Sequence, residues 1–467
     1  MTTPIYNFVQ EYQAKNSVRL HMPGHKGKVF LGCEPMDITE VAGADVLSQA
    51  QGIIGESQKN AAKLFGTGLT LYSTEGSSLS IKAMLAAAYF YRKEKGYAGR
   101  AWVLAARNVH RAMIDGCALL DLDVRFLPCE TGAELCSVKI SLEQLEETLE
   151  QAEFPPIGVY ITSPDYLGQQ ADIAALAECC HKKQVPLLVD NAHGAYLAFL
   201  EESRHPIHLG ADMCCDSAHK TLPVLTGGSY LQFRPSAEEK FGEYARRAMA
   251  LFGSTSPSYL VLQSLDLCNR YLAEGYPAEL EICVRKIGQI KEEMKRRNIP
   301  VLSGEPLKLV IDAAALGYTG EEIARELRTF CCTVDGEDRQ GLECEYADEK
   351  YVVWMLTPEN TEEDYECIRR WLKVTCLNEK KTSAWKGKGG AGVYSGISQR
   401  KLTIRQAMFS PSEMVPVSES VGRILAQETV SCPPAIPIGI SGELITREMV
   451  EQFLRYGVEE VCVCKEH

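Results

Sequence analysis

The chain has 467 residues, too many for one ordinary hydrophobic core, so two or three domains are expected. Hydrophobic residues make up 45% and charged residues 24%, a composition typical of a soluble globular protein. The net charge of −13 argues against nucleic acid as the main partner, because phosphate binding needs concentrated Lys and Arg. The acidic balance fits a cationic small substrate, although it more often serves solubility alone.

The N-terminal sequence MTTPIYNFVQEYQ lacks a basic segment followed by an apolar one, so no secretory signal is expected. No apolar run reaches membrane-spanning length. The 18 cysteines include adjacent pairs at 179–180, 214–215 and 331–332, but no CxxC spacing. Such cysteines are typical of buried thiols in a reducing compartment, so we expect a cytoplasmic protein without disulfides or a bound metal.

Between residues 56 and 232 the sequence alternates between helical segments and short apolar strands. This alternation predicts an α/β fold with a mostly parallel sheet, in which ligands bind beyond the C-terminal ends of the strands. In chain order the predicted elements are a helix at 77–95, a strand at 101–106, a turn and helix at 107–120, a strand at 157–162, a helix at 172–184, and strands at 185–190, 211–217 and 227–233.

The rest of the chain is expected to form smaller units. A large domain at 56–275 ends in helices, and a smaller α+β unit follows at 276–377. The Lys/Gly-rich stretch 378–396 lacks periodicity and is interpreted as a linker or exposed loop. A last compact domain is expected at 397–467, and no internal repeat is visible.

Two polar residues lie at or just beyond the ends of predicted strands. Asp190 ends VPLLVD, where a carboxylate in an apolar setting could protonate a ring nitrogen, or simply cap a helix or turn. His110 follows AWVLAA and could stack on a ring, although a histidine at such a turn is more often structural. Both residues are therefore candidates with an ordinary structural alternative.

Two further segments carry candidate site residues besides Asp190 and His110. The small hydroxyl residues and glycine of STEGSS (73–78) precede a helix, where free N–H groups suit a phosphate, although the same residues cap ordinary helices. Lys220 lies in DSAHKTLPVLTGG beside a histidine and hydroxyls. Together the four signals fit pyridoxal phosphate, whose aldehyde forms a Schiff base with a lysine and whose ring nitrogen needs an acidic partner.

The chain resembles the bacterial ornithine/lysine/arginine decarboxylases of the aspartate-aminotransferase fold, in their shorter form. The resemblance spans nearly the whole chain and implies a large domain like that of pyridoxal-phosphate-dependent transferases, a small α+β domain and a C-terminal domain of decarboxylase type. It also implies that residues 1–55 lie near the active site of a homodimer or higher oligomer. The segments that carry it, in the family's order, are HMPGHKG (21–27), DITE, RNVH, DNAHGAY, SAHKTLPVLTGGSYL, STSPSYLVLQSLD and PPAIPIGISGE.

The family's roles map onto matching residues. Lys220 would form the Schiff base, Asp190 would bind the ring nitrogen, and His110 would stack on the ring with Ala192 against its other face. His193 would lie near the substrate carboxylate or the Schiff base, and it or Lys220 would protonate the α-carbon. The phosphate ligands would be Gly76, Ser77, Ser78, Ser217 and His219, with Ser254 or Thr255 reaching the neighbouring subunit's phosphate.

Several positions depart from the family's pattern. Asn191 stands where Glu is usual, Tyr196 replaces a frequent histidine, the stretch around Leu47 lacks a common histidine, and Cys432 stands where tyrosine is common. The residues expected to bind the cofactor match the family, whereas positions expected near the substrate differ. This pattern indicates an altered or narrowed substrate preference.

Glu443 and Glu56 are candidates for recognising a cationic substrate tail, with surface carboxylates as the equal alternative. The first functional hypothesis is decarboxylation of lysine, arginine or ornithine to cadaverine, agmatine or putrescine, in polyamine biosynthesis. An aminotransferase or lyase on the same fold is the alternative, although no motif between 300 and 376 supplies the arginine that clamps a carboxylate in an aminotransferase. A catalytically inactive paralogue is the third hypothesis.

Overall fold

The computed structural model describes residues 1–97, 99–128, 134–377, 399–431 and 435–465. The predicted linker at 378–396 and the departure at Cys432 lie outside the described residues.

The large domain is built on a central seven-stranded sheet. Its strands are β1 (Leu69–Ser73), β2 (Trp102–Ala105), β3 (Asp123–Phe126), β4 (Val159–Thr162), β5 (Leu187–Asp190), β6 (Met213–Asp216) and β7 (Ser229–Phe233). The helices of this part of the chain are α1 (Pro4–Ala14), α2 (Ile53–Phe65), α3 (Gly76–Glu94), α4 (Arg111–Leu120), α5 (Leu142–Glu150), α6 (Ile173–Lys182), α7 (Ala218–Thr221), α8 (Pro235–Phe252) and α9 (Tyr259–Ala273).

The strand order is β1-β7-β6-β5-β4-β2-β3. Strand β7 runs antiparallel to both of its neighbours, β1 and β6, and the other pairs of this sheet are parallel. The predicted α/β fold with a mostly parallel sheet is thereby confirmed. The sequence reading missed β1 and β3: β1 (LTLYS) mixes polar and apolar residues although all of it is buried, and β3 is a short edge strand.

Helices cover both faces of the sheet. In β4, Tyr160 packs with the helices α3, α4 and α8, whereas Val159 and Ile161 pack with α5 and α6. Strands buried on both sides read as continuous apolar runs, which is why VPLLVD and AWVLAA were recognisable without alternation.

The small domain follows the long helix α10 (Tyr276–Arg296) and combines antiparallel strands with two helices. Its three-stranded sheet has the order β11-β12-β8, and β9 and β10 form a hairpin. Its elements are β8 (Lys308–Asp312), α11 (Gly320–Thr329), β9 (Cys331–Val334), β10 (Glu337–Gln340), β11 (Tyr346–Ala347), β12 (Tyr351–Met355) and α12 (Glu362–Val374).

The C-terminal part has its own small core and contacts the large domain. Strands β13 and β16 pair antiparallel, as do β14 and β15. Within the described ranges, no helix is both long and apolar enough to cross a membrane. The elements are α13 (Ile404–Met408), β13 (Ser412–Pro416), β14 (Thr429–Ser431), β15 (Ile436–Gly439), α14 (Arg447–Arg455) and β16 (Glu460–Cys464).

Candidate active site

The C-terminal ends of the parallel strands meet at one edge of the sheet. The register pairs Thr162 of β4 with Asp190 of β5, and Asp190 with Cys215 of β6. Lys220 lies in the one-turn helix α7 that directly follows β6, so the strand order brings its amine to the same edge as Asp190.

The Lys220 amine is 3.0 Å from Nε2 of His193. Burial lowers the pKa of Lys220, and the negative charge of Asp190 opposes that shift. A lysine with a lowered pKa is neutral in a larger fraction of molecules, and the neutral amine is the nucleophile that attacks a carbonyl. The surroundings of Lys220 therefore suit covalent chemistry better than those of a surface lysine.

Asp190 ends β5 with its carboxylate buried. The hydroxyl of Tyr160 donates to Oδ2 at 3.1 Å, and the backbone N–H of Ala192 donates to Oδ1 at 3.2 Å. The Cys215 thiol is 3.5 Å from Oδ1. These donors hold the carboxylate in place at the strand end, where it can bind a protonated ring nitrogen.

His193 is buried beside Lys220, and burial lowers its pKa well below the usual value, with the Lys220 charge adding to the effect. The imidazole is therefore neutral near pH 7. Among the described residues its Nδ1 has no hydrogen-bond partner. The ring of Tyr166 packs edge-on against it, with ring centroids 5.1 Å apart.

His110 caps the N-terminus of α4, where its Nδ1 accepts the backbone N–H of Ala112 at 3.1 Å. Burial lowers the pKa of His110, and Asp190 and Lys220 are the next largest influences on it. The residue thus has the structural role of a cap and also lies within electrostatic reach of both site residues.

The expected phosphate loop connects β1 to the N-terminus of α3. Gly76 has a φ of +71°, and a side chain there would meet no atom within 4 Å. Its N–H donates to the Gly227 carbonyl at 2.7 Å, and the place of Gly76 among the phosphate-binding residues stays a prediction. The first-turn amides and hydroxyls of Ser77 and Ser78 remain the candidates in this loop.

Ser217 precedes α7, and His219 lies within this helix. The Ser217 hydroxyl is buried and has no partner among the described residues, which is expected of a group that faces a ligand. His219 is tied through Nδ1 to the Gly228 carbonyl at 3.0 Å, and burial lowers its pKa. The unpaired Ser217 hydroxyl, the open space at Gly76 and the enclosed Lys220 amine fit a phosphorylated aldehyde cofactor.

The departure at Asn191 has a structural reason. The Asn191 amide donates to Oδ1 of Asp216, the last residue of β6, and His205 contacts the other Asp216 oxygen at 3.1 Å. A glutamate at position 191 would place a second buried carboxylate against Asp216. His205, Cys214 and Asp216 also lie within metal-ligand distance of one another, but the Asp216 oxygens are used in these hydrogen bonds.

Ser254 and Thr255 are exposed in this single chain. The Ser254 N–H donates to the Glu75 carboxylate at 2.6 Å, which places these residues beside the phosphate loop of their own chain. Together with Leu47 they line a cavity of about 260 Å³. Contact with a neighbouring subunit stays a prediction.

The two carboxylates proposed for substrate recognition lie in different settings. Glu443 is buried and accepts the Ile440 N–H at 2.9 Å, so it stabilises a turn of the C-terminal part. Glu56 is exposed in the first turn of α2 and accepts the Thr2 hydroxyl at 3.2 Å. Neither contact involves Lys220, and their role in substrate binding stays a prediction.

The sequence analysis did not predict a group of residues whose side chains connect the small domain to the candidate active site. Tyr166 follows β4 and donates its hydroxyl to Glu345 at 2.8 Å. Lys308 of β8 pairs with Glu305 at 3.1 Å, and the Tyr196 hydroxyl also donates to Glu305. The position of Tyr166 just beyond a predicted strand was a usable signal, whereas the small-domain partners had none.

Comparison with known proteins agrees with this geometry. The family model for "Orn/Lys/Arg decarboxylase, major domain" matches residues 3–360. The chain is 27% identical to an arginine decarboxylase of Bacillus subtilis (strain 168), over 97% of this chain and 93% of that protein. It is 28% identical to the uncharacterized protein YaaO of the same organism, over 97% and 94% of the two chains.

Solved structures with the same fold include two lysine decarboxylases. The Francisella novicida enzyme LdcF superposes with a TM-score of 0.73 at 14% identity, covering 99% of this chain and 81% of that one. The constitutive lysine decarboxylase of E. coli gives 0.72 at 17% identity, covering 99% and 82%. The family match, together with Lys220 and Asp190 at one edge of a mostly parallel sheet, confirms the resemblance read from the sequence: the chain belongs to the Orn/Lys/Arg decarboxylase family.

Proposed function

We propose that the protein uses pyridoxal 5′-phosphate to remove the α-carboxylate of a basic amino acid as carbon dioxide, leaving the corresponding amine. The observation that carries the proposal is the half-buried Lys220 amine, 3.0 Å from the neutral His193 imidazole and within the field of Asp190. Family membership supports decarboxylation, and the relatives named arginine decarboxylase make arginine the first substrate to test.

Several residues would hold the cofactor. Lys220 would attach to its aldehyde, Asp190 would bind the ring nitrogen, and His110 and Ala192 would pack on the two faces of the ring. When bound, the cofactor supplies a ring that accepts the electron pair left by the departing carboxylate. The phosphate would be held by Gly76, Ser77, Ser78, Ser217 and His219.

The chain's own residues would manage the protons. Asp190 would favour a proton on the ring nitrogen of the bound cofactor, because a buried anion next to that nitrogen favours its charged form. His193 is neutral and contacts Lys220, so the pair can pass a proton between Nε2 and Nζ. Whichever of the two carries the proton can deliver it to the α-carbon after carbon dioxide has left.

We further propose a homodimer, or a higher oligomer, in the cytoplasm. Ser254 and Thr255 are exposed beside the phosphate loop, where a neighbouring subunit could approach. In such an assembly either residue would contribute to the neighbour's phosphate site. The amine product would feed polyamine biosynthesis.

The decisive experiment incubates the purified protein and pyridoxal phosphate with arginine, lysine and ornithine, and identifies products by mass spectrometry. Release of an amine and carbon dioxide supports the proposal. A keto acid product instead would show an aminotransferase. A protein that neither binds the cofactor nor consumes any of the three amino acids would be an inactive paralogue.

A further inference from the structure

Two cysteine side chains of the small domain meet between a strand and a helix. Cys332 lies in β9 and Cys367 lies in α12, and both thiols are free. Their sulfur atoms are 2.8 Å apart. This separation lies between the bonded distance in a disulfide, about 2 Å, and an ordinary van der Waals contact, about 3.5–4 Å between carbon atoms. A small displacement therefore brings the two sulfur atoms to bonding distance.

The contact follows from the local structure of both elements. Side chains alternate between the two faces of a strand, so Cys332 points to the same side as the buried Val334, whereas Cys331 and Thr333 are exposed. Cys367 belongs to the buried face of α12. The two thiols face each other because the buried sides of the strand and the helix pack together.

A second contact holds the strand against the helix beside the cysteines. Arg370, in the helical turn after Cys367, donates a hydrogen bond to the backbone carbonyl of Thr333, the residue that follows Cys332. The Glu366 carboxylate accepts a hydrogen bond from the same guanidinium group at 3.1 Å. The approach of the two sulfur atoms therefore does not depend on the thiols alone.

Two exposed cysteines nearby lie outside this contact. The Cys331 thiol is on the other side of β9, 3.7 Å from the Thr329 carbonyl. The Cys376 thiol follows α12 and lies 3.9 Å from the Val374 carbonyl. Both residues serve as internal controls for a reaction that is specific to the facing pair.

The two facing thiols differ in accessibility. Cys332 is half-buried, whereas Cys367 is buried, and burial raises the pKa of Cys367 to about 12. Cys367 also borders a cavity of about 490 Å³, together with Arg339, the cross-strand partner of Cys332 in the β9–β10 hairpin. A small oxidant therefore meets the Cys332 thiol first, with Cys367 behind it.

We propose that Cys332 and Cys367 form a reversible redox pair, which a small-molecule disulfide converts to an intramolecular disulfide between β9 and α12. This inference is independent of the proposed function. In a reducing compartment such a bond is transient and reports the accumulation of oxidant.

The reaction is an ordinary thiol–disulfide exchange in two steps. The Cys332 thiolate attacks one sulfur of the oxidant, forms a mixed disulfide and releases one small thiol. The Cys367 thiol then loses its proton, attacks the Cys332 sulfur and releases the second small thiol. The two protein thiols are oxidised by two electrons, the small disulfide is reduced, and the two cysteine protons end on the released thiols.

The disulfide would restrain the β9–β10 hairpin. This hairpin is a two-stranded sheet, and such sheets are only marginally stable by themselves. Its attachment to α12 therefore determines how often it opens. The bond would join residues 35 positions apart in the chain and remove conformational freedom from the opened state, so the oxidised hairpin should open less often.

The test maps disulfides in the wild-type protein after incubation with glutathione disulfide, acid quenching, alkylation and tryptic digestion. Trypsin places Cys332 in peptide 329–339 and Cys367 in peptide 351–369. We expect these peptides to be linked, fragmentation to assign the bond to Cys332, and dithiothreitol to reverse it. Absence of the linked peptides, or a bond between Cys332 and Cys331, would overturn the proposal.

Serine variants test the order of the two steps. Cys331→Ser is the matched control, and it should form the linked peptides as wild type does. In Cys367→Ser the second step is blocked, so glutathione should accumulate on Cys332 well above its level in wild type. Equal amounts of the glutathione adduct in wild type and Cys367→Ser would overturn the role of Cys367.

Hydrogen exchange measures the restraint on the hairpin. Oxidation should slow amide exchange in β9 and β10 of wild type by about tenfold or more. In Cys332→Ser, which cannot form the bond, the same treatment should leave exchange unchanged. Equal exchange in reduced and oxidised wild type would overturn the proposed link between β9 and α12.

Discussion

Asp190 is held at the end of β5 by the Tyr160 hydroxyl and the Ala192 amide. Asp190→Asn keeps the shape of the side chain but removes the charge that holds a proton on the ring nitrogen. We expect the variant to retain bound cofactor and to lose about two orders of magnitude or more in kcat. Cofactor absorbance and steady-state rates measure the two effects, and near-normal kcat would contradict the assigned role.

Lys220 offers a second prediction at the residue scale. Lys220→Ala should lose turnover, and borohydride reduction should no longer trap the cofactor on the protein, because the attacking amine is gone. In the wild type, burial lowers the pKa of Lys220 from 10.5, so capture of the cofactor by apoprotein should rise with pH and reach half-maximum below 10.5.

Asp190 raises the pKa of Lys220, so Asp190→Asn should move the half-maximum of capture to still lower pH. Stopped-flow absorbance measures this shift. A movement to higher pH would contradict the electrostatic account of the site.

At the scale of elements, Asp266 of α9 accepts hydrogen bonds from both N-terminal helices, α1 and α2. Its Oδ2 accepts the N–H groups of Ile5 and Tyr6 at 2.9 and 3.0 Å, and its Oδ1 accepts the Ser57 hydroxyl at 2.6 Å. It thus caps α1 from another helix and fixes α2. Asp266→Ala should lower the free energy of unfolding by about 3 kcal/mol, since it leaves several buried donors unpaired. Denaturant titration measures the change.

Asp266 also predicts a pH dependence. Burial raises its pKa from the usual 3.8 to about 6, so between these values the folded protein binds more protons than the unfolded chain. Its contribution to stability is therefore present below pH 3.8 and is lost as the pH rises through 6. Relative to Asp266→Asn, which does not titrate, wild type should lose up to about 3 kcal/mol across this range. A difference that stays constant with pH would contradict the raised pKa.

At the scale of the whole molecule, the C-terminal part is hydrogen-bonded to the loop that carries His110. Arg107 donates to the carbonyls of Pro437 and Ile438, both at 2.8 Å, and the Arg111 N–H donates to the Ala435 carbonyl at 3.0 Å. The C-terminal part of the chain therefore supports the loop that follows β2.

Arg107→Ala should loosen this contact. We expect faster hydrogen exchange at 436–439 and a several-fold lower kcat, because the loop bearing His110 loses its support. Arg100→Ala is the control, since Arg100 is an exposed arginine that pairs with Asp121 within the large domain. Equal exchange at 436–439 in wild type and Arg107→Ala would contradict the proposed support.

The sequence by itself determined the α/β class, the edge of the sheet at which to look, and the candidate roles of Lys220, Asp190 and His110. The structure confirms the fold class, because a buried strand is an apolar run and a polar residue at its end lies at the shared C-terminal edge of the sheet. The roles of the three residues stay predictions. The family resemblance places Gly76 among the phosphate-binding residues, which stays a prediction. Only the tertiary structure shows that its N–H donates to the carbonyl of Gly227, a partner 151 residues away in the chain.

Only the tertiary structure decided which carboxylates lie near the site. The sequence offered Glu443 and Glu56, whose role in substrate binding stays a prediction, while the fold adds a carboxylate near the site, Glu345, which accepts the Tyr166 hydroxyl. The physical reason is that Tyr166 and Glu345 belong to different domains. Their contact depends on how the small domain packs on the sheet, and neither periodicity nor spacing along the chain records that packing.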